Sequence, residues 1–388
     1  MELLPNEILS TILSNLDNIE LTVLFFVSHD LRKFLKKTKA RIIKKYKYIE
    51  KLVSKGDLKM VRWAIKNGCK WNVNADLAAA KFDQLYIIQL IWTSKLTDHE
   101  YRVADQDLCL AAASGGAINV FMWMLENSWC GKEWQFEKTF RQNFGQQIWW
   151  PSKIIPMAAR GGHLDFINWA YFQGFPLNSD ACQQAARGGH LDVLKWLRKK
   201  DCRWNETTCS AAALKGHSNV LTWAVSNGCH WNESTCINAA LGGHLNILQW
   251  AHQNGCPFDA SIYTYAAKKG RLDIIQWACQ NGYSLNNFTG YYAAKYGHLD
   301  ILKWILSNGY LFDEHIGSYA AHAGHLDIIQ WLHANGYPLT ENMYINAAKE
   351  GRLNVLKWLY ENGSEWSEQV RLMSLFGGVE IAKWSWFR

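Results

Sequence analysis

Small and apolar residues alternate with polar ones along this chain in a pattern that returns every 27 residues. Gly162, Gly189, Gly216, Gly243, Gly270, Gly297, Gly324 and Gly351 hold that period without a slip. Ala-Ala stands three and four residues before each glycine, and Trp stands seven residues after it, from Trp169 to Trp358. The unit 205–228 shows what the pattern predicts. Asn205 is a good N-cap, because its side-chain oxygen can accept from a free backbone N–H. Residues 207–214 then form a first short helix with Ala211, Ala212 and Ala213 on its tight side. Gly216-His217 turns the chain. Val220, Leu221, Trp223 and Ala224 give the apolar stripe of a second helix. Asn227-Gly228 ends it, with glycine in the left-handed position that a Cβ disfavours. No unit this small can bury its own apolar face. Stability therefore comes from stacking, with Ala allowing close approach and Trp filling the space between layers.

The pattern continues in weakened form on both sides. Gly56 pairs with Trp63, Asp83 with Leu90, Gly116 with Trp123, and a last partial unit holds Gly377 and Trp384. The expectation is an all-α solenoid of about twelve short helix-turn-helix repeats over residues 41–388. Its regular part would be 157–388 and its divergent part 48–156. An insertion near 129–156 exceeds the period and carries Trp129, Trp134, Phe136, Phe140, Phe144, Trp149 and Trp150. So many aromatics are not all left in water, which leaves an extra helix packed down on the array or a binding loop. Residues 1–40 follow a different pattern. Pro5 stands where helices begin, and Ile8, Leu9, Ile12, Leu13 and Leu16 make one apolar face.

Charge narrows the partners. Residues 1–31 hold five acids and no Lys or Arg, and residues 32–62 hold thirteen basic and two acidic side chains. The rest is nearly neutral, which argues against a long nucleic-acid groove. The basic stretch from Lys36 to Lys47 reads as the wet face of a helix. No apolar run reaches the roughly 18 residues of a membrane helix, and Glu2 opens a terminus without the features of a secretory signal. The ten cysteines fall on repeat positions, as Cys202, Cys229 and Cys256 do, and read as free thiols in a reducing, cytoplasmic setting rather than as a disulfide framework.

Candidate chemistry is weak. The column His163, His190, His217, His244, His298 and His325 invites a metal. Its members stand one layer apart, about 10 Å, whereas zinc ligands converge to about 2 Å. Arg271 and Arg352 also replace it without breaking the period. Hydrogen bonding at the turn is the expected role. Asp165, Asp192, Asp273, Asp300 and Asp327 fall in the first turn of the second helix, where negative charge suits the helix dipole. No Walker loop, dinucleotide fingerprint or zinc-protease motif is present. No catalytic residue, metal or cofactor is expected, and the chain does not read as an enzyme.

The order Ala293-Ala294-Lys295-Tyr296-Gly297-His298-Leu299-Asp300-Ile301-Leu302, closed by Asn308-Gly309, resembles the ankyrin repeat. The resemblance covers roughly residues 48–388, with two departures. The period is 27 rather than the family's usual longer one, so its β-fingers should be truncated, and the family's Thr-Pro-Leu-His opening is missing. Ankyrin geometry implies that the residues flanking Ala-Ala face a concave groove. Tyr265, Tyr292 and Tyr319, with Lys268, Lys295 and His322 beyond them, are the expected partner contacts. The opening Leu4-Pro5-Asn6-Glu7-Ile8-Leu9, with Val27-Ser28 further on, resembles an F-box. It implies docking of a Skp-type adaptor of a cullin ubiquitin ligase on Leu4, Pro5, Ile8, Leu9, Ile12 and Leu13; the other reading of these residues is a helical cap on the array. Short Trp-rich repeats of this kind resemble those of giant viruses of amoebae. Together these imply a monomeric, cytoplasmic protein-protein interaction scaffold, a substrate receptor linking a target protein to the ligase. The alternative is a binding or sequestering protein, a viral host-interaction factor, with no ubiquitin link.

Overall fold

The computed structural model describes residues 45–66, 69, 71–93, 105–127 and 151–363, with Glu368, Val370 and Met373 beyond them. The F-box-like residues 1–40 and residues 129–150 of the insertion lie outside the described residues. Among the described residues the chain forms 22 helices and no strand. It falls into two compact units, residues 1–203 and 204–388. Within each unit, first helices of successive repeats pack on one another, while each second helix packs mainly on its own first helix. The Ala-Ala pairs make this possible: Ala239, Ala240, Ala266, Ala267, Ala293 and Ala294 are fully buried between first helices.

Each helix starts and stops where its residues dictate. The first helix Glu206–Lys215 is capped by Asn205, whose side chain accepts from Thr207 N at 3.1 Å. Asn178 and Asn232 do the same for Ser179–Gly188 and Glu233–Gly242. The second helix Ser218–Ser226 ends in a Schellman turn: Cys229 N donates to Ala224 O and Gly228 N to Val225 O. Asn227 closes it by donating its side-chain amide to Trp223 O at 2.7 Å, a bond that Asn254, Asn281, Asn308, Asn335 and Asn362 repeat. The tryptophans whose burial is described are half-buried. Trp223 and Trp250 pack on Trp204 and Trp231 before their own first helices, and Trp277 also meets His252 of the preceding repeat.

The Gly-His signature couples neighbouring repeats. Gly297 has φ +84°, and a Cβ there would lie 2.7 Å from the ring of His325, one repeat later. That same ring places Nε2 3.2 Å from Lys295 O, at the end of the helix Phe288–Tyr296. A carbonyl can only accept, so Nε2 carries the proton. His163 and His298 make the same bond to Ser114 O and Lys268 O. At one substituted position Arg352 donates through Nε to His322 O at 3.1 Å; at the other, Arg271 covers Gly243. Three of the six histidines therefore make a structural hydrogen bond, but to the preceding repeat rather than within their own turn.

Two irregular places keep the scheme by other means. Asp83 holds the glycine position with φ 55°. Its carboxylate accepts from Val120 N at 2.9 Å and from Asn119 Nδ2 at 2.7 Å, capping the next second helix in place of a histidine bond. The insertion ends earlier than residue 156, because the helix Pro151–Gly161 is the first helix of a regular repeat. Pro156 lies inside it and has no N–H to donate back to Ser152 O. Asn178 of the next repeat donates to that carbonyl instead, at 2.8 Å.

Candidate functional site

Three successive first helices in the second unit, Ser261–Lys268, Phe288–Tyr296 and Ile316–Ala323, carry an aromatic and basic face. Their buried positions hold Ala, Gly, Ile and small polar residues, together with Tyr263, which leaves the longer side chains pointing outward. Lys268 Nζ lies 5.0 Å from the ring centre of Tyr265 and 4.3 Å from that of Tyr292, so one cation bridges two repeats. Tyr292 stacks with Tyr296 at 6.4 Å. Tyr291 stacks with Tyr319 of the following repeat at 4.9 Å, and its hydroxyl donates to the Asp313 carboxylate. Tyr319 is 39% exposed, Tyr296 48% and Phe288 60%, and Lys295 is exposed beside them. His322 is half-exposed with Nδ1 3.6 Å from Glu350 of the next repeat.

A second column lies beneath, in the core. The position three residues before the Ala-Ala pair of each first helix holds Asp76, Cys182, Cys209, Cys236 and Tyr263 in different repeats. Burial pushes the Asp76 carboxyl up to about 6, although Trp71 Nε1 donates to it at 2.8 Å and pulls the other way. Hydrogen bonding to Cys229 and Cys256, then burial, push the Cys209 and Cys236 thiols far up. Tyr263 is raised by burial and donates to Tyr283 O at 2.6 Å. Cys209, Cys236 and Tyr263 are therefore protonated, packed side chains, and the nine described cysteines are free thiols. Among the described residues no three His, Cys, Asp or Glu side chains gather where one metal ion could hold them. No described helix is long and apolar enough to cross a membrane.

A family model described as ankyrin repeats, in three copies, matches residues 236–316 and 291–370. These are ankyrin repeats. No curated protein matches the chain. Among solved structures, the human ASB11 ankyrin repeat domain is 18% identical over 51% of this chain and 98% of its own, with a TM-score of 0.37.

The aromatic face lies wholly within that matched stretch, and ankyrin repeats indicate a protein–protein interaction scaffold, typically a non-enzymatic one. Tyr265, Lys268 and Tyr292 form one cluster. Tyr319 joins it through Tyr291 rather than through Tyr292, Lys295 stands exposed on the same helix as Tyr292, and His322 turns toward Glu350. Leu4, Pro5, Ile8, Leu9, Ile12 and Leu13 lie outside the described residues. Sequence reasoning passed over Tyr291 and Phe288. The doublet Tyr291-Tyr292 was the available signal, since a residue next to an outward column on a helix is partly outward too. In the ankyrin repeats the finger between helix pairs is reduced to a strandless turn among the described residues, as the 27-residue period requires.

Proposed function

We propose that the chain is a target-binding subunit, holding a partner protein on the tyrosine-lined face of residues 261–323 and linking it, through residues 1–40, to a Skp-type adaptor of a cullin ubiquitin ligase. The observation that carries the binding half is the run of outward aromatics over three successive first helices, with Phe288, Tyr296 and Tyr319 exposed. Tyrosine is favoured at contact surfaces because it brings large area at low entropy cost. The ligase half rests on the F-box-like residues Leu4, Pro5, Ile8, Leu9, Ile12 and Leu13. The setting for both is the cytoplasm, that of a host for a viral chain.

Immobilised chain offered a purified Skp-type adaptor tests the ligase half. Capture should be lost when residues 1–35 are deleted and kept when Tyr292 is changed to Ala. Absence of capture by the intact chain removes the ubiquitin link and leaves a binding or sequestering scaffold. Enrichment of cellular partners with the wild type and with Tyr292→Ala, read by mass spectrometry, tests the other half. Identical partner sets would remove the face from the reading.

A further inference from the structure

We infer that the face takes an extended, acidic segment of its partner, with carboxylates on Lys268, on Lys295 and on Lys269, the exposed residue that ends the helix Ser261–Lys268, and intervening side chains on the tyrosine rings. The inference rests on the proposal that this face is the partner's seat, and adds the chemistry of what sits there.

Within the second unit the charge pattern singles out these three repeats. The first helices Ser261–Lys268, Phe288–Tyr296 and Ile316–Ala323 contain no acid at all, whereas their neighbours begin with Glu206, Glu233 and Glu341. The nearby carboxylates are committed elsewhere. Asp259 accepts from Ser261 N, Asp313 from His315 N and the Tyr291 hydroxyl, and Glu350 pairs with His322. Among the described residues no carboxylate pairs with Lys268, Lys269 or Lys295. The hydroxyls of Tyr265, Tyr292, Tyr296 and Tyr319 likewise have no protein partner among the described residues and are free to donate. Unpaired ammonium groups beside phenolic donors are complementary to carboxylates. Repeats about 10 Å apart match about three residues of extended chain at about 3.3 Å each. The segment should therefore present an acid roughly every third residue, with an apolar or aromatic residue between. A nucleic acid is disfavoured: three lysines and no arginine make a short line of positive charge, and the chain beyond residue 62 is nearly neutral.

The test measures fluorescence anisotropy of labelled peptides with the whole chain. The probes are a short peptide of repeated Glu-Ser-Leu triplets, the same peptide with Gln or Lys for each Glu, and a short oligothymidine. Expected is binding of the Glu peptide that weakens as salt rises, with the Gln peptide about tenfold weaker. Lys268→Glu with Lys295→Glu should weaken the Glu peptide about tenfold and create binding of the Lys peptide. That exchange of preference cannot come from misfolding. Lys303→Glu with Lys357→Glu, on exposed positions of second helices, should change nothing. Failure of the Glu peptide to bind, equal binding of all three peptides, or preferred binding of the oligothymidine would each overturn the inference. If the Glu peptide fails while Tyr292→Ala still releases a cellular partner, the face survives as a binding site and only its acidic preference falls.

Discussion

The first helices Glu206–Lys215 and Phe288–Tyr296 stand three repeats apart and share a backbone, yet present different surfaces. Both end at a left-handed glycine, Gly216 or Gly297, and both bury the same Ala-Ala pair. The residue before that pair is Ala211 in one, 6% exposed, and Tyr292 in the other, bridged by Lys268. The position four residues after the N-cap column shows the same freedom in the core, holding Asp76, Cys209, Cys236 or Tyr263. What stays constant is what the backbone needs: a residue able to turn left-handed and a small pair for close approach. What varies is everything the stacking does not require. The difference separates structural positions from those free to take on function.

The comparison breaks most easily at the glycines. Gly297 and Gly309 have φ of +84° and +81°, but only Gly297 has a neighbour, the ring of His325. Gly309→Ala should cost about 1–2 kcal/mol for the left-handed backbone alone. Gly297→Ala should cost about 2–4 kcal/mol, because the ring must also shift. Urea unfolding of both variants in wild-type and His325→Ala backgrounds checks this, and the gap between them should shrink when the ring is gone. Gly216→Ala and Gly228→Ala should repeat the contrast in the cysteine-bearing repeats. A different gap there would mean the two regions do not share a backbone logic.

The core column supplies the next test. Tyr263→Phe should destabilise by about 1–2 kcal/mol, measured by denaturant midpoint, since it strands the Tyr283 carbonyl it bonds at 2.6 Å. Asp76→Asn should stabilise by about 1 kcal/mol at neutral pH, because it removes a buried charge while keeping an acceptor for Trp71. The pH dependence fixes the sign. A carboxyl raised from 3.8 to about 6 binds its proton more tightly in the folded chain. Its stabilising contribution is complete below pH about 4 and is lost as pH rises through about 6. The melting temperature of the wild type should therefore fall across that window relative to Asp76→Asn, and parallel curves would discount the burial of Asp76. The smallest effect belongs to the exposed face: Lys295→Glu should change stability by no more than about 0.5 kcal/mol.

Most of the fold was legible because its determinants are local. A glycine that must be left-handed, an Asn that caps and a small pair that packs each leave a residue type at a fixed offset. The partner of each histidine was not legible. The bond to the previous repeat's carbonyl joins residues 30 apart, such as His325 and Lys295, and only the stacking geometry brings them together. The substitution of Asp83 for glycine could be seen as a weakened unit, but its role as a cap for Val120 and Asn119 depends on three-dimensional neighbours. The face was legible in outline from the tyrosine column. Tyr291 was missed because its contact with Tyr319 skips one residue out of the period, and the period was the guide.

The side chain that closes the preceding helix, His298, His325 or Arg352, gives these repeats a polarity. A unit leaves its own first helix unfinished and depends on the one that follows to complete it. Cutting within this stretch is therefore asymmetric. Trimming from the N-terminal side removes a donor's target, whereas trimming from the C-terminal side strips a carbonyl of its donor and bares a glycine to water. Anyone shortening or splicing these repeats would do well to keep, after the last unit wanted, the turn that carries its closing residue, as Arg352 closes the repeat before it.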